Sequence, residues 1–191
     1  MKKHKLILAV TGASGAIYAK DIINKLELAD DQIEECCLIF SDVARQVWEY
    51  ELEEDFPSKF YFPRYDTDDF FSPVASGSAG FETMIVCPCS MGTLGRIASG
   101  IADELIARSA DVILKERRKL ILVPRETPFN EIHLDNMKKI THAGGIIMPA
   151  MPGFYQKPLS IHEMVSHFTD RLLSVAGFEI NRFKWGYEDE Q

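Results

Sequence analysis

The sequence predicts an α/β fold on a mostly parallel sheet. Short apolar runs recur along the chain, and longer segments of helical spacing separate them. That alternation gives a parallel sheet with right-handed crossovers, because each helix returns the chain before the next strand begins. Size adds a third observation. A chain of 191 residues suits one domain that buries roughly 70% of its unfolded-chain surface.

The first strand is "KLILAV" (5–10), followed by the turn "TGASGA" and the helical segment "AIYAKDIINKLEL". The second is "ECCLIF" (35–40), followed by "DVARQVWEYEL". "KFYF" (59–62) is a weaker strand, and residues 63–81, "PRYDTDDFFSPVASGSAGF", have the Pro, Gly and Ser content of a long functional loop. "TMIVC" (83–87) leads through a helix starting at "SMGT" and through "ADELIARSADVILKERR" to "KLILVP" (119–124). "EIHLDNMKKITHA" then connects to "GIIMP" (145–149), and "SIHEMVSHFTDRLLSVAG" closes the pattern. Apolar runs this continuous belong to strands covered on both faces. The expectation is a Rossmann-like, three-layer α/β/α fold. Its six strands lie in the order 3-2-1-4-5-6, within a single domain spanning 1–191.

Composition excludes several function classes. A net charge of −8 argues against a nucleic-acid surface, so an anionic ligand must be met by a local basic cluster. The start "MKKHKLILAV" holds an apolar run too short for a secretory leader. No uncharged run approaches the roughly 18–20 residues of a membrane span. The chain therefore reads as cytoplasmic. Its four cysteines make no disulfide framework. Cys36 and Cys37 lie in an apolar run, and Cys87 and Cys89 are spaced C-x-C with no second ligand pair for zinc. All four read as packing residues.

Ligands of such sheets bind beyond the carboxyl ends of the strands. There the chain places "TGASGA", Ser41-Asp42, "PCSMGT", "PRETPF" and "PAMPGFY". "CPC" is thus where a buried strand stops. Ser90, with Thr93 three residues on, is a helix N-cap that leaves backbone N–H groups and hydroxyls facing the crevice. Gly12-Ala13-Ser14-Gly15 is not G-x-G-x-x-G and has no Walker lysine, and the second strand ends in Ser41 where a dinucleotide site would carry a ribose-binding acid. A mononucleotide fits better than NAD. Arg125 and Glu126 follow a strand directly and read as an ion pair at the active edge. Arg108 and Lys115 share one helix face, Arg171 lies on the last helix, and Tyr155 in the "PGFY" turn. The plainer reading takes Asp111–Lys115 as an i,i+4 surface pair and "KERRK" as a solvated helix end.

"AVTGASGAIYA", "SPVASGSAG", "VCPCSMGTL", "LKERRKLILVPRETPFNEIHLDNM" and "PAMPGFYQKP" together resemble the UbiX-type flavin prenyltransferases. These belong to the superfamily of homo-oligomeric flavin-containing cysteine decarboxylases. The likeness runs from Lys5 to about Gly177. It implies that reduced FMN is alkylated at N5 by dimethylallyl monophosphate, with phosphate leaving, and that C6 then closes a fourth ring. The product, prenylated FMN, serves a UbiD-type decarboxylase, as in ubiquinone biosynthesis and aromatic acid decarboxylation. The resemblance implies no metal. It assigns Gly12, Ala13, Ser14, Ser41, Ser90, Met91, Gly92, Thr93 and Arg125 to FMN. It assigns Arg108, Lys115, Tyr155 and Arg171 to the prenyl phosphate, and Ser14, Glu51 and Glu126 to catalysis. It also implies a homo-oligomer, typically a dodecamer, with the flavin site between subunits. Phe70-Phe71 and "SPVASGS" stand where relatives often carry a tryptophan and "APPASGS".

Two other readings are possible. An FMN-dependent cysteine decarboxylase would carry "PASANT" and a histidine in the N-terminal half. Here the stretch reads "PVASGS", and no histidine lies between His4 and His133. A non-catalytic FMN carrier would keep the glycine and serine turns but would not need Tyr155 and Arg171 at a second phosphate.

Overall fold

The computed structural model describes residues 3–180. Its sheet has six parallel strands in the order β3-β2-β1-β4-β5-β6. They are β1 (His4–Val10), β2 (Ile33–Phe40), β3 (Arg64–Tyr65), β4 (Thr83–Cys89), β5 (Lys119–Pro124) and β6 (Ile146–Ile147). The helices are α1 (Ala16–Leu28), α2 (Asp42–Leu52), α3 (Met91–Ala98), α4 (Leu105–Lys115), α5 (Glu131–His142) and α6 (Ile161–Ala176).

Alternation along β1 explains the layers. Leu6, Leu8 and Val10 pack with α1, α2 and α6 residues such as Ile22, Trp48 and Leu172, whereas Ile7 and Ala9 pack with Leu94, Ile106 and Ile140 of α3, α4 and α5. Both faces of the central strands are thereby covered, which their unbroken apolar sequence requires. Cys36 and Cys37 sit opposite Leu6 and Ile7 in the β1–β2 ladder, and both are buried. They are packing residues, as expected.

The third strand falls elsewhere than the sequence pattern suggests. The edge pairing is made by Arg64 and Tyr65 against Leu38 and Ile39, not by "KFYF" at 59–62. The aromatic residues there have a different partner. Phe60 stacks on Phe40 at 5.2 Å between ring centroids, Phe56 packs edge-on to Phe40 at 5.0 Å, and Phe62 is buried. The phenylalanines cap the edge of the core, so apolar content there reports packing and not a ladder.

Strand order reverses between β1 and β4, which leave the sheet in opposite directions through α1 and α3. That is the topological switch point where parallel sheets open a crevice.

The candidate active site at the carboxyl edge of the sheet

Thr11 fixes the floor of that crevice. Its hydroxyl donates to the Pro88 carbonyl at 2.8 Å and accepts from the Ser90 N–H at 2.8 Å, tying the end of β1 to the end of β4. Ser90 then caps α3: its hydroxyl oxygen accepts from the Thr93 N–H at 3.3 Å, and its proton goes to Thr93 Oγ1 at 3.1 Å. Ser41 caps α2 in the same way, accepting from Ala44 N–H at 3.1 Å. Two helix N-termini therefore start at one opening. Gly12 lies between them. A Cβ on it would stand 2.3 Å from Val43 Cγ1, so only glycine lets the turn approach α2 this closely.

These residues line a cleft of about 360 Å³ together with Asp42, Thr67, Arg96, Glu104 and Ile106. That is within the usual range for small-molecule sites. Met91 and Gly92 occupy the first turn of α3 beside the cleft, where N–H groups have no partner within the helix. Sequence reasoning passed over Thr11, Thr67, Arg96 and Glu104. Glu104 had a readable signal, an acid just before an apolar-periodic run. Its carboxylate accepts from Ile106 and Ala107 N–H groups at 2.9 and 2.8 Å. Burial pushes its carboxyl up, against the pull of those bonds and of Arg96.

A second cluster adjoins the glycine turn. Glu51, near the end of α2, accepts from the backbone N–H groups of Gly15 at 2.8 Å and Ala16 at 2.9 Å. Burial raises its carboxyl pKa, but the Ser14 hydroxyl, the two N–H groups and the charge of Arg125 outweigh that and hold it below the ordinary range. Arg125 donates from Nε to the Ser14 carbonyl at 3.1 Å. Of the neighbouring glutamates, Glu54 is engaged by Trp48 Nε1 at 3.0 Å and by Lys20. Glu51 is thus the glutamate bonded to the glycine turn.

Arg125 and Glu126 do not form the ion pair their adjacency suggests. Glu126 is exposed and accepts from Thr127 N–H at 3.0 Å, while Arg125 turns to Ser14. Successive residues past a strand end point different ways, and the Ser14 carbonyl offers the arginine a fixed acceptor.

The four residues expected around a prenyl phosphate are divided. Arg108 and Lys115 are on α4, which packs on the opposite face of the sheet from α6 and its Arg171. Arg108 donates from Nε to Ala75 O at 3.2 Å and pairs with Asp111 at 3.3 Å, and Lys115 pairs with Glu116 at 2.7 Å. Lys115 ends α4, about 15 Å along its axis from Leu105. It therefore lies toward the edge where β5 begins, away from the cleft. Tyr155 is exposed, with its hydroxyl 3.5 Å from Gln156 Nε2, and Arg171 is exposed on α6. One chain does not gather these four side chains.

The thiols take no part. Burial raises Cys87 strongly and pushes Cys89 up to about 12, so neither is a thiolate near neutral pH.

Known proteins resemble the chain over nearly all its length. The family described as Flavoprotein matches residues 1–171. A curated flavin prenyltransferase UbiX of Methanocaldococcus jannaschii is 46% identical over 185 residues, covering 95% of this chain and 98% of that protein. The crystal structure of AnUbiX (PadA1) in complex with FMN and dimethylallyl pyrophosphate superposes with a TM-score of 0.89 at 38% identity, covering 98% of this chain and 100% of the other. A dodecameric FMN-dependent UbiX-like decarboxylase from Escherichia coli O157:H7 gives a TM-score of 0.87 at 37% identity, covering 97% and 99%.

Proposed function

The chain belongs to the flavoprotein family and, within it, to the UbiX flavin prenyltransferases, and from that premise we propose that it transfers a dimethylallyl group from dimethylallyl monophosphate to reduced FMN. One observation carries the reading: a hydroxyl-lined cleft between two helix N-termini opens beside a carboxylate held by Ser14, Gly15 and Ala16 in the field of Arg125. The first feature binds a phosphate, and the second handles a proton.

FMN fits the residues present. Gly12, Ser41, Ser90 and Thr93 surround the cleft, and the first turns of α2 and α3 offer N–H donors to its phosphate. Ala13, Met91 and Gly92 continue these turns. Bound reduced FMN would supply the nucleophilic N5, which would displace phosphate from C1 of the donor, and then C6, which would bond to C3 as the alkene takes up a proton and C6 gives one up.

The chain's own residues hold, orient and move protons. Ser14 stands between Glu51 and Arg125: its hydroxyl bonds to the carboxylate, and its carbonyl takes the guanidinium. Arg125 thereby fixes the glycine turn against the end of β5. Glu51, kept ionised, is the proton acceptor, directly or through the Ser14 hydroxyl. Glu126 is the exposed carboxylate that moves a proton to or from the leaving phosphate. Arg108, Lys115, Tyr155 and Arg171 offset the charge growing on that phosphate.

Arg108 and Lys115 lie across the sheet from Arg171, and we take the prenyl-phosphate site to be assembled from more than one copy. A homo-oligomer, in this reading a dodecamer, supplies them. Exposed Met151, Phe154 and Leu159 in the arm before α6 favour such an assembly. The product is passed to a UbiD-type decarboxylase. Among the described residues no helix is long and apolar enough to cross a membrane, and we place the enzyme in the cytoplasm as a single-domain protomer. Anaerobic incubation with reduced FMN and either dimethylallyl monophosphate or the pyrophosphate, followed by flavin mass, tests the activity and its donor.

A further inference from the structure

Arg96 is used by none of the roles assigned so far. Ser90, Thr93 and Arg96 follow at intervals of three around the first turns of α3, so they form one stripe, and all three line the cleft. Side chains of a helix lean toward its N-terminus, which carries the Arg96 guanidinium back toward the two hydroxyls. Its recorded ion pair is loose: Nε stands 3.7 Å from Asp103 Oδ1, and both side chains are more than a third exposed. A pair of that kind holds an arginine weakly.

Charge decides what the arginine is for. A phosphate monoester carries roughly −1.5 to −2 near neutral pH. Each helix N-terminus offers about +0.5, so α2 and α3 together leave about one negative charge unmatched. The other ionisable side chains lining the cleft, Asp42 and Glu104, are acidic and supply no counter-charge. Among the described residues that line the cleft, Arg96 is the only cation.

We infer that Arg96 is the counter-charge for the terminal phosphate of FMN and is the residue by which this chain tells FMN from riboflavin. This rests on the reading that the cleft holds the phosphate end of FMN. Titrating the full chain with FMN and with riboflavin, followed by flavin fluorescence, tests it without any turnover. Arg96→Ala should bind FMN about tenfold more weakly, as for a lost charge-assisted contact, and riboflavin as the unaltered chain does. Arg96→Lys should recover part of the loss. Asp103→Asn, which frees the guanidinium, should bind FMN at least as tightly. Equal weakening for both flavins, or unchanged FMN binding by Arg96→Ala, overturns the inference while leaving the proposed function standing. A wild-type chain that takes up neither flavin removes both.

Discussion

Glu51 and Gly15 are joined by a 2.8 Å hydrogen bond from the backbone N–H to Oε2, which binds the last turn of α2 to the N-terminus of α1. The carboxylate thus completes a helix end, and in the proposed reaction it is also the proton acceptor. Folding lowers its pKa, so the native state favours the charged form. The resulting stabilisation is full above the ordinary carboxylate pKa and is lost as acid protonates Glu51 through its lowered native value. Glu51→Gln should cost about 1 kcal/mol near neutral pH, as loss of a helix cap does, and should flatten the acid limb of a stability–pH curve. Turnover should fall on the order of 10²–10⁴-fold. Denaturation across pH 3–7 beside activity assays measures both.

Gly12→Ala would place its Cβ 2.3 Å from Val43 Cγ1. Overpacking of this kind costs about 1–3 kcal/mol, and the displaced turn would no longer frame the cleft. A lowered Tm with weakened FMN uptake is expected. A variant that binds FMN normally would show that the turn does not set the site.

Arg171→Ala and Glu126→Gln separate catalysis from flavin carriage. Arg171 is exposed on α6, on the opposite face of the sheet from α4, and is assigned to the donor. Its loss should leave FMN binding intact and weaken the donor by about 1.5–3 kcal/mol. Glu126→Gln keeps the shape, so FMN stays bound while turnover falls on the order of 10²–10⁴-fold. Parallel loss of FMN in both variants would make these residues structural.

Most of the fold was legible because its strands are buried on both faces and therefore continuously apolar. The parallel sheet, the Ser90 cap and a ligand crevice at the carboxyl ends followed from that pattern and from the residues at the strand ends, and the strand order matched the Rossmann-like expectation. "KFYF" misled because aromatic residues that cap a core look like a strand when only apolar content is counted. The adjacency of Arg125 and Glu126 misled because neighbours in sequence diverge in space, and the acceptor of Arg125, the Ser14 carbonyl, is distant in sequence. Thr11 left no trace beyond its type, since its role depends on β4 lying beside β1. The split of Arg108 and Lys115 from Arg171 needed the assignment of helices to faces, which periodicity alone does not give.

If the prenyl-phosphate site is shared between copies, two variants impaired at low donor concentration should complement. Lys115→Ala and Arg171→Ala proteins, dissociated, mixed and reassembled, should regain part of the activity that neither has alone. No recovery, with mixed oligomers verified by mass, would show that Lys115 and Arg171 do not serve one shared donor site.

The flavin itself gives the most direct test of prenyl transfer. Purified protein, reduced FMN and dimethylallyl monophosphate are incubated without oxygen, and the flavin is released for mass and absorbance. A flavin heavier by one C5 unit is expected, formed with the wild type and greatly diminished with Glu126→Gln. Flavin recovered as unchanged FMN, from protein shown to bind both FMN and the donor, would contradict it.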